Sequence, residues 1–148
     1  MEIQIRKLDN WDLELFTGLI RVFEEVFAMN DFRIPPTNHL RELLKRTDFL
    51  VFVVLHHTQV VGGLTLYTLT QYYSIRPLAY LYDLAVLEPY QRKGIGRKLI
   101  DSVCSFCREN DYEEIFVQAD KIDTHAIEFY RRTKPTNEED VLHFYYTL

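Results

Sequence analysis

The chain has little cysteine, no excess of positive charge and no long apolar run. Nothing in its 148 residues approaches the roughly 20 consecutive apolar positions that a membrane-spanning helix needs. The opening residues, Met1-Glu2-Ile3-Gln4-Ile5-Arg6, lack the basic start and apolar centre of a secretory signal, so a cytoplasmic location and no membrane partner are expected. The formal net charge is -5, so any basic surface has to be local, and a nucleic-acid partner, which would need a broad basic face, is not expected. An acidic balance suits a cationic partner instead.

Cysteine occurs twice, as Cys104-x-x-Cys107. A redox pair sits at a helix N-terminus, where the thiolate is stabilised, whereas this pair falls well inside a predicted helix. No second pair exists to complete a zinc site, so both read as small core or near-core side chains, and no metal is expected. His56 and His57 adjoin in a predicted turn, where successive side chains would point apart and stay solvated.

What is present is the composition of a soluble globular protein, 47% hydrophobic and 26% charged, at a length that suits one domain over 1–148. Repeats, low-complexity segments and linkers are lacking. Ile3 and Ile5 alternate with polar residues as a first strand. Asp9 or Asn10 is placed to cap a helix in which Leu13, Phe16, Leu19, Ile20, Phe23 and Phe27 recur at helical spacing. A second helix fits Thr37 to Arg46. "FLVFVVL" (49–55) and "VVGGLTLYTLT" (60–70) predict an antiparallel hairpin, with Gly62-Gly63 marking a bulge. A strand over 79–86, a helix over about 95–109, a strand over 113–119, a helix over about 124–133 and a closing strand in "DVLHFYYTL" complete the order. In that last strand Leu142, Phe144, Tyr146 and Leu148 share one side. The fold class is α+β, with a mixed, mostly antiparallel sheet flanked by helices.

The richest stretch is "YLYDLAVLEPYQRKGIGRKLI", residues 80–100. A helix start exposes amide N–H groups with no partner inside the helix, and the peptide dipoles add positive potential there. Gly94 and Gly96 remove Cβ atoms where a backbone must approach a ligand, and Arg92, Lys93, Arg97 and Lys98 surround the spot with cations. On spacing alone two readings stand, a phosphate cradle and an ordinary capped, basic helix start. A dinucleotide fingerprint is excluded because the third glycine is missing, and a P-loop because Gly-Lys-Ser/Thr never occurs.

As a whole the stretch resembles the acetyl-CoA signature of the Gcn5-related N-acetyltransferase (GNAT) superfamily, an apolar strand end, a proline turn and Arg/Gln-x-x-Gly-x-Gly/Ala opening a helix. Ala85-Val86, Pro89 and Gln91-Arg92-Lys93-Gly94-Ile95-Gly96 fill those places in order. The resemblance implies a sheet splayed between strands 79–86 and 113–119. It implies that the amides of residues 92–97, Ile95 included, hold the coenzyme A pyrophosphate, and that the pantetheine arm runs along Leu84-Ala85-Val86. Tyr130, in "AIEFYRR", matches the family's Phe-Tyr position, whose hydroxyl serves as general acid; the alternative is a core tyrosine packed beside Phe129. Asp123 stands where the family often has asparagine; an aspartate caps a helix but cannot donate an amide hydrogen bond to pantetheine.

For a base the residues themselves offer Asp83 and Asp120. Asp83 shares strand parity with Leu81 and Ala85, so unless a bulge intervenes it lies on a partly apolar face, where desolvation raises a carboxyl pKa. Asp120 ends "FVQAD". Both residue types also serve as turn or cap carboxylates. "YLYDLAV", "RKGIG", "FVQAD", the Tyr130 helix and "VLHF" together resemble aminoglycoside 3-N-acetyltransferases of the gentamicin-modifying type, over residues 49–148. That implies a small cationic aminosugar as acceptor, with Glu24, Glu25, Asp31, Asp83, Asp120 and the "NEED" run at 137–140 as ammonium partners. The other reading of these groups is a solvated acidic face. Pro135, in "RRTKPTNEED", departs from the family's Leu-Gly turn. Dimers are common in the family, so a homodimer through the closing strand is one expectation; the apolar face of that strand fits a core equally well.

Overall fold

The computed structural model describes residues 1–148, which divide into two compact units, 1–118 and 119–148. In the first, five strands form one sheet in sequential order: β1 (Gln4–Lys7), β2 (Phe49–His56), β3 (Gln59–Leu69), β4 (Leu78–Val86) and β5 (Glu114–Val117). The first four are antiparallel neighbours, and β5 runs parallel to β4. A parallel neighbour needs a crossover, which helix α3 (Ile95–Glu109) provides. Helices α1 (Leu13–Val26) and α2 (Thr37–Lys45) precede the hairpin.

Strands β2 and β3 are buried along most of their length because both sheet faces are covered. On one face Leu64, Leu66, Ala79, Leu81 and Val86 pack with Ile95, Leu99, Val103 and Cys107 of α3. On the other, Val51, Val53 and Ala85 pack with Phe16, Leu19, Val22 and Phe23 of α1 and Leu40 of α2. Helix α1 lies so close that a Cβ on Gly63 would collide with the Phe52 carbonyl and come within 2.8 Å of Leu19 Cδ1. The hairpin bulge expected at Gly62-Gly63 falls one residue earlier: Val54 pairs with Gly62 and Leu55 with Val60, leaving Val61 extra.

Two local expectations change. Asp12, not Asp9 or Asn10, occupies the cap position of α1. Asp9 instead accepts the Trp11 N–H at 2.8 Å, and the Asp12 carboxylate accepts the Asp9 N–H and pairs with Arg6 at 2.7 Å. His56 and His57 do not point apart: His57 takes a left-handed φ of 56°, and the two rings lie 4.3 Å apart. His56 is also tied down, its Nδ1 3.2 Å from the Tyr90 hydroxyl.

The second unit holds one helix, α4 (Thr124–Arg132), with Arg131 and Arg132 in its last turn, where cations favour the helix dipole. The closing strand is not formed. Residues 134–148 carry no helix or strand, and Leu142, Phe144, Tyr146 and Leu148 are 78–115% exposed. Alternation specifies which side of a strand is apolar, but a strand also needs a neighbouring edge to pair with its backbone, and alternation does not supply one. No helix is long and apolar enough to cross a membrane.

Candidate active site

The site is organised by a bulge in β4. Leu66 pairs with Leu81 and Thr65 with Asp83, so Tyr82 is an extra residue. Such a bulge puts two consecutive side chains on one face and reverses the parity beyond it. Leu81 and Val86 therefore belong to the α3 core while Ala85 belongs to the α1 core. Asp83 shares its face with Ala85 but not with Leu81, the reversal that parity from sequence had left conditional. Pairing between β4 and β5 also stops here, at Leu81 with Val117, so the sheet splays as expected between these two strands.

Beyond the splay, β4 has an open edge. Leu87 N–H donates to Val61 O at 2.8 Å, which sets the phase of the β3–β4 ladder. Ala85 and Leu87 turn their main-chain groups to β3, and Leu84 and Val86 turn theirs to the opposite edge. Gln91 Nε2 takes up one of them, donating to Val86 O at 2.7 Å. An extended chain with its own amides has a hydrogen-bonding track along Leu84, Ala85 and Val86.

The edge leads through one 3-10 turn, Glu88–Tyr90, into the start of α3. Arg92 and Gly94 both adopt left-handed φ, 59° and 78°, and no side chain caps the helix. The first helical bond is Lys98 N–H to Gly94 O at 3.1 Å, so the amides of Ile95 and Gly96 find no acceptor within the helix. Alternating left-handed positions turn successive amides inward into an anion-binding nest. Arg92, Lys93, Arg97 and Lys98 are exposed around it. A Cβ on Gly94 would meet nothing within 4 Å, so the space in front of the cradle is open. These donors and cations fit a diphosphate.

Asp83 is half-buried, and burial raises its carboxyl pKa. It makes no ion pair with this chain. Around it stand side chains that the motif search did not single out. Phe49, Tyr67, Tyr80 and Phe116 are register partners in turn, one per strand from β2 to β5. Tyr80 stacks on Phe116 at 4.7 Å, and Tyr82, two residues on and so on the same face by ordinary alternation, meets Tyr67 and Tyr80 edge-on at 5.7 and 5.6 Å. Burial, then Tyr82, then Asp83 raise the phenol pKa values of both Tyr67 and Tyr80, which places Asp83 within electrostatic reach of both. The signal in the sequence was aromatic residues at the polar-parity positions of "LTLYTL", "YLYD" and "EIFV".

Glu24 pairs with Arg21 at 2.9 Å, Glu25 is exposed, and Asp31 sits in the exposed loop after α1 with φ 56°. In the second unit Glu138 pairs with Arg131 at 2.7 Å, which holds its carboxyl below the usual range, and Asp140 lies 3.5 Å from Lys121. Asp120 is exposed, its carbonyl accepting the Asp123 N–H at 2.9 Å. Asp123 is the cap of α4 and accepts the Ala126 N–H at 3.1 Å. Tyr130 is half-buried, its ring 5.0 Å from Phe129 and its carbonyl bonded by Thr133 Oγ1 at 2.6 Å. Cys107 is a buried core thiol pushed up to about 11 by burial, and Cys104 is raised by the same cause. Both are free.

A model of the GNAT acetyltransferase family matches residues 8–133. The chain is 55% identical to an aminoglycoside acetyltransferase from an uncultured soil metagenomic sample, whose crystal structure in complex with sisomicin superimposes with a TM-score of 0.98, covering 99% of this chain and 96% of that one. The same enzyme in complex with trehalose gives 0.97. A second soil-metagenome aminoglycoside acetyltransferase is 31% identical, with a TM-score of 0.92 over 100% of this chain and 99% of that one. An aminoglycoside N-acetyltransferase in complex with CoA is 16% identical with a TM-score of 0.79, over 99% of this chain and 96% of that one, a likeness of fold alone.

Proposed function

The chain belongs to the GNAT family of acetyltransferases, and on that premise we propose that it moves an acetyl group from acetyl-CoA to an amine of an aminoglycoside. The observation that carries the coenzyme half is continuous: the open β4 edge runs straight into an uncapped, cation-ringed helix start. Leu84 and Val86 hold the pantetheine arm by their main chain, with Ala85 between them along the track, and the amides of residues 92–97 hold the diphosphate, with Arg92, Lys93 and Arg97 adding charge. Gln91 braces the turn through Val86 O. Bound there, acetyl-CoA supplies an acetyl group already activated as a thioester.

The protein's own groups handle the protons. Asp83 takes the proton of the acceptor ammonium; burial raises its carboxyl pKa, which makes it a better proton acceptor than an ordinary aspartate. Tyr130 is the proton donor on the leaving side, by its match to the family's Phe-Tyr position. Asp120, Glu24 and Asp31 hold further ammonium groups, and Asp123 orders the start of α4. Both substrates are held at once, for direct attack. The likeness of "YLYDLAV" and "FVQAD" to the gentamicin-modifying enzymes supports the 3-amine as the target.

The test is thiol release from acetyl-CoA with sisomicin, spermidine and short peptides, followed by NMR of the acetylated product. Release with sisomicin and acetylation at the 3-amine is the expected result. Activity on peptides or spermidine alone would move the acceptor class, and CoA binding without release on any amine would make the chain a non-catalytic acyl-CoA-binding module.

The exposed tail supports a homodimer. Val141, Leu142, Phe144, Tyr145, Tyr146 and Leu148 are all more than half exposed, in a segment that carries no strand. A second copy is the partner it fits, and removal of 141–148 is expected to convert a dimer to a monomer in light scattering. A full-length monomer would refute this.

A further inference from the structure

The aromatic row beside Asp83 is built in a way that packing alone does not require. Tyr80 and Phe116 stack nearly parallel, at 8°, as a half-buried base. Above them Tyr82 stands at 80° to Tyr80 and 85° to Tyr67, and remains 57% exposed; Tyr67 is 38% exposed. Perpendicular rings that are open to solvent make a corner with two walls. The Tyr80 hydroxyl donates to Gln118 Oε1 at 3.2 Å, which leaves the Gln118 amide N–H groups as donors at the rim. Asp83, brought to this face beside Tyr82 by the bulge, puts one negative charge at the corner's inner end.

We propose that Tyr67, Tyr80, Tyr82 and Phe116, with Asp83 and Gln118, form a platform that binds the ring of an amino sugar, and that this platform is what selects a cyclic acceptor over a linear polyamine. The inference rests on the acceptor class proposed above and names the feature that recognises it. A saturated sugar ring presents axial C–H bonds to an aromatic face, and an ammonium on that ring sits against the negative faces of the phenols and the Asp83 carboxylate together. Spermidine satisfies Asp83 equally well but has no ring face to fill the corner. The bulge is therefore the specificity element: without the extra residue, Tyr82 and Asp83 would point to opposite sides of the sheet.

Tyr82→Ala and Tyr82→Phe test this, because Tyr82 is the most exposed of the rings and carries no core packing. Sisomicin binding is measured by calorimetry, and KM is measured for sisomicin, spermidine and acetyl-CoA. Tyr82→Ala is expected to weaken sisomicin binding by roughly 10-fold, the size of one good aromatic contact, and to leave spermidine and acetyl-CoA within about twofold. Tyr82→Phe keeps the ring and restores sisomicin binding. Equal losses on sisomicin and spermidine would make Tyr82 merely structural and overturn the platform, as would unchanged sisomicin binding. Where the wild type binds sisomicin and Tyr82→Ala binds it as tightly, the platform alone falls; where the wild type binds none, the aminoglycoside reading falls with it.

Discussion

Arg92 sets stability against coenzyme binding, and Arg92→Gly should move the two in opposite directions. Its φ of 59° lies in the left-handed region, which costs an L side chain about 1–2 kcal/mol. Glycine removes that strain but brings extra unfolded-state freedom worth roughly 0.5–1 kcal/mol, so the net stabilisation is about 0.5–1 kcal/mol. For a chain of this size that raises Tm by roughly 1–4 °C. The guanidinium is exposed at the cradle, and a lost charged contact to a phosphate is worth about 1.5 kcal/mol at the screened end of the range, roughly 10-fold in Kd. Circular-dichroism melts and calorimetric titration with CoA at low and high salt measure both. The loss of affinity should shrink as salt rises, because exposed charges are screened. Gly94→Ala is the mirror image: at φ 78° the methyl costs about 1–2 kcal/mol of strain with nothing to clash against, and it projects into the open space before the cradle. Both Tm and CoA affinity should fall. A Tm for Arg92→Gly several degrees below the wild type, or an unchanged Kd for CoA, would refute the account of strain held at a phosphate site.

Tyr130→Phe should lower kcat much more than CoA affinity, read by steady-state kinetics and calorimetry; an unchanged rate would remove Tyr130 as the acid. Burial raises the Asp83 pKa, so the base form is lost as pH falls through a value above the ordinary aspartate range. The kcat/KM profile should therefore carry an acid limb that Asp83→Asn abolishes along with most of the rate, and a limb that persists in Asp83→Asn belongs to another group. The same shift makes the folded state bind the proton more tightly than the unfolded chain, so this carboxylate opposes folding above its folded pKa. Gly63→Ala drives a methyl into the Phe52 carbonyl and toward Leu19, and should cost about 3 kcal/mol or more in urea denaturation; a loss under about 1 kcal/mol would show that α1 can retreat.

Element types were legible because they are local. Hydrophobic period separates β2 and β3 from α1 and α3, and the ends of α3 fall where Gly94 and the apolar face of Ile95, Leu99 and Val103 placed them. The cradle was legible for the same reason, since a helix start, two glycines and four cations are neighbours in the chain. The tail shows the limit of such reasoning: its alternation is that of a strand, yet pairing requires an edge that lies outside the segment.

Sequence by itself therefore determined the α+β order and named the candidates, the proposed phosphate cradle, Tyr130 and Asp83. Tertiary structure decided what surrounds Asp83. In "YLYDLAV" nothing local announces that Tyr82 is the extra residue, because a bulge exists only relative to the register of β3. Register in turn is set by both covered faces at once, Leu66 against Leu81 on one and Gly63 against Leu19 on the other. From that one slip follows the face that Asp83 occupies, beside an aromatic row drawn from four strands, whose members lie up to 67 positions apart, from Phe49 to Phe116.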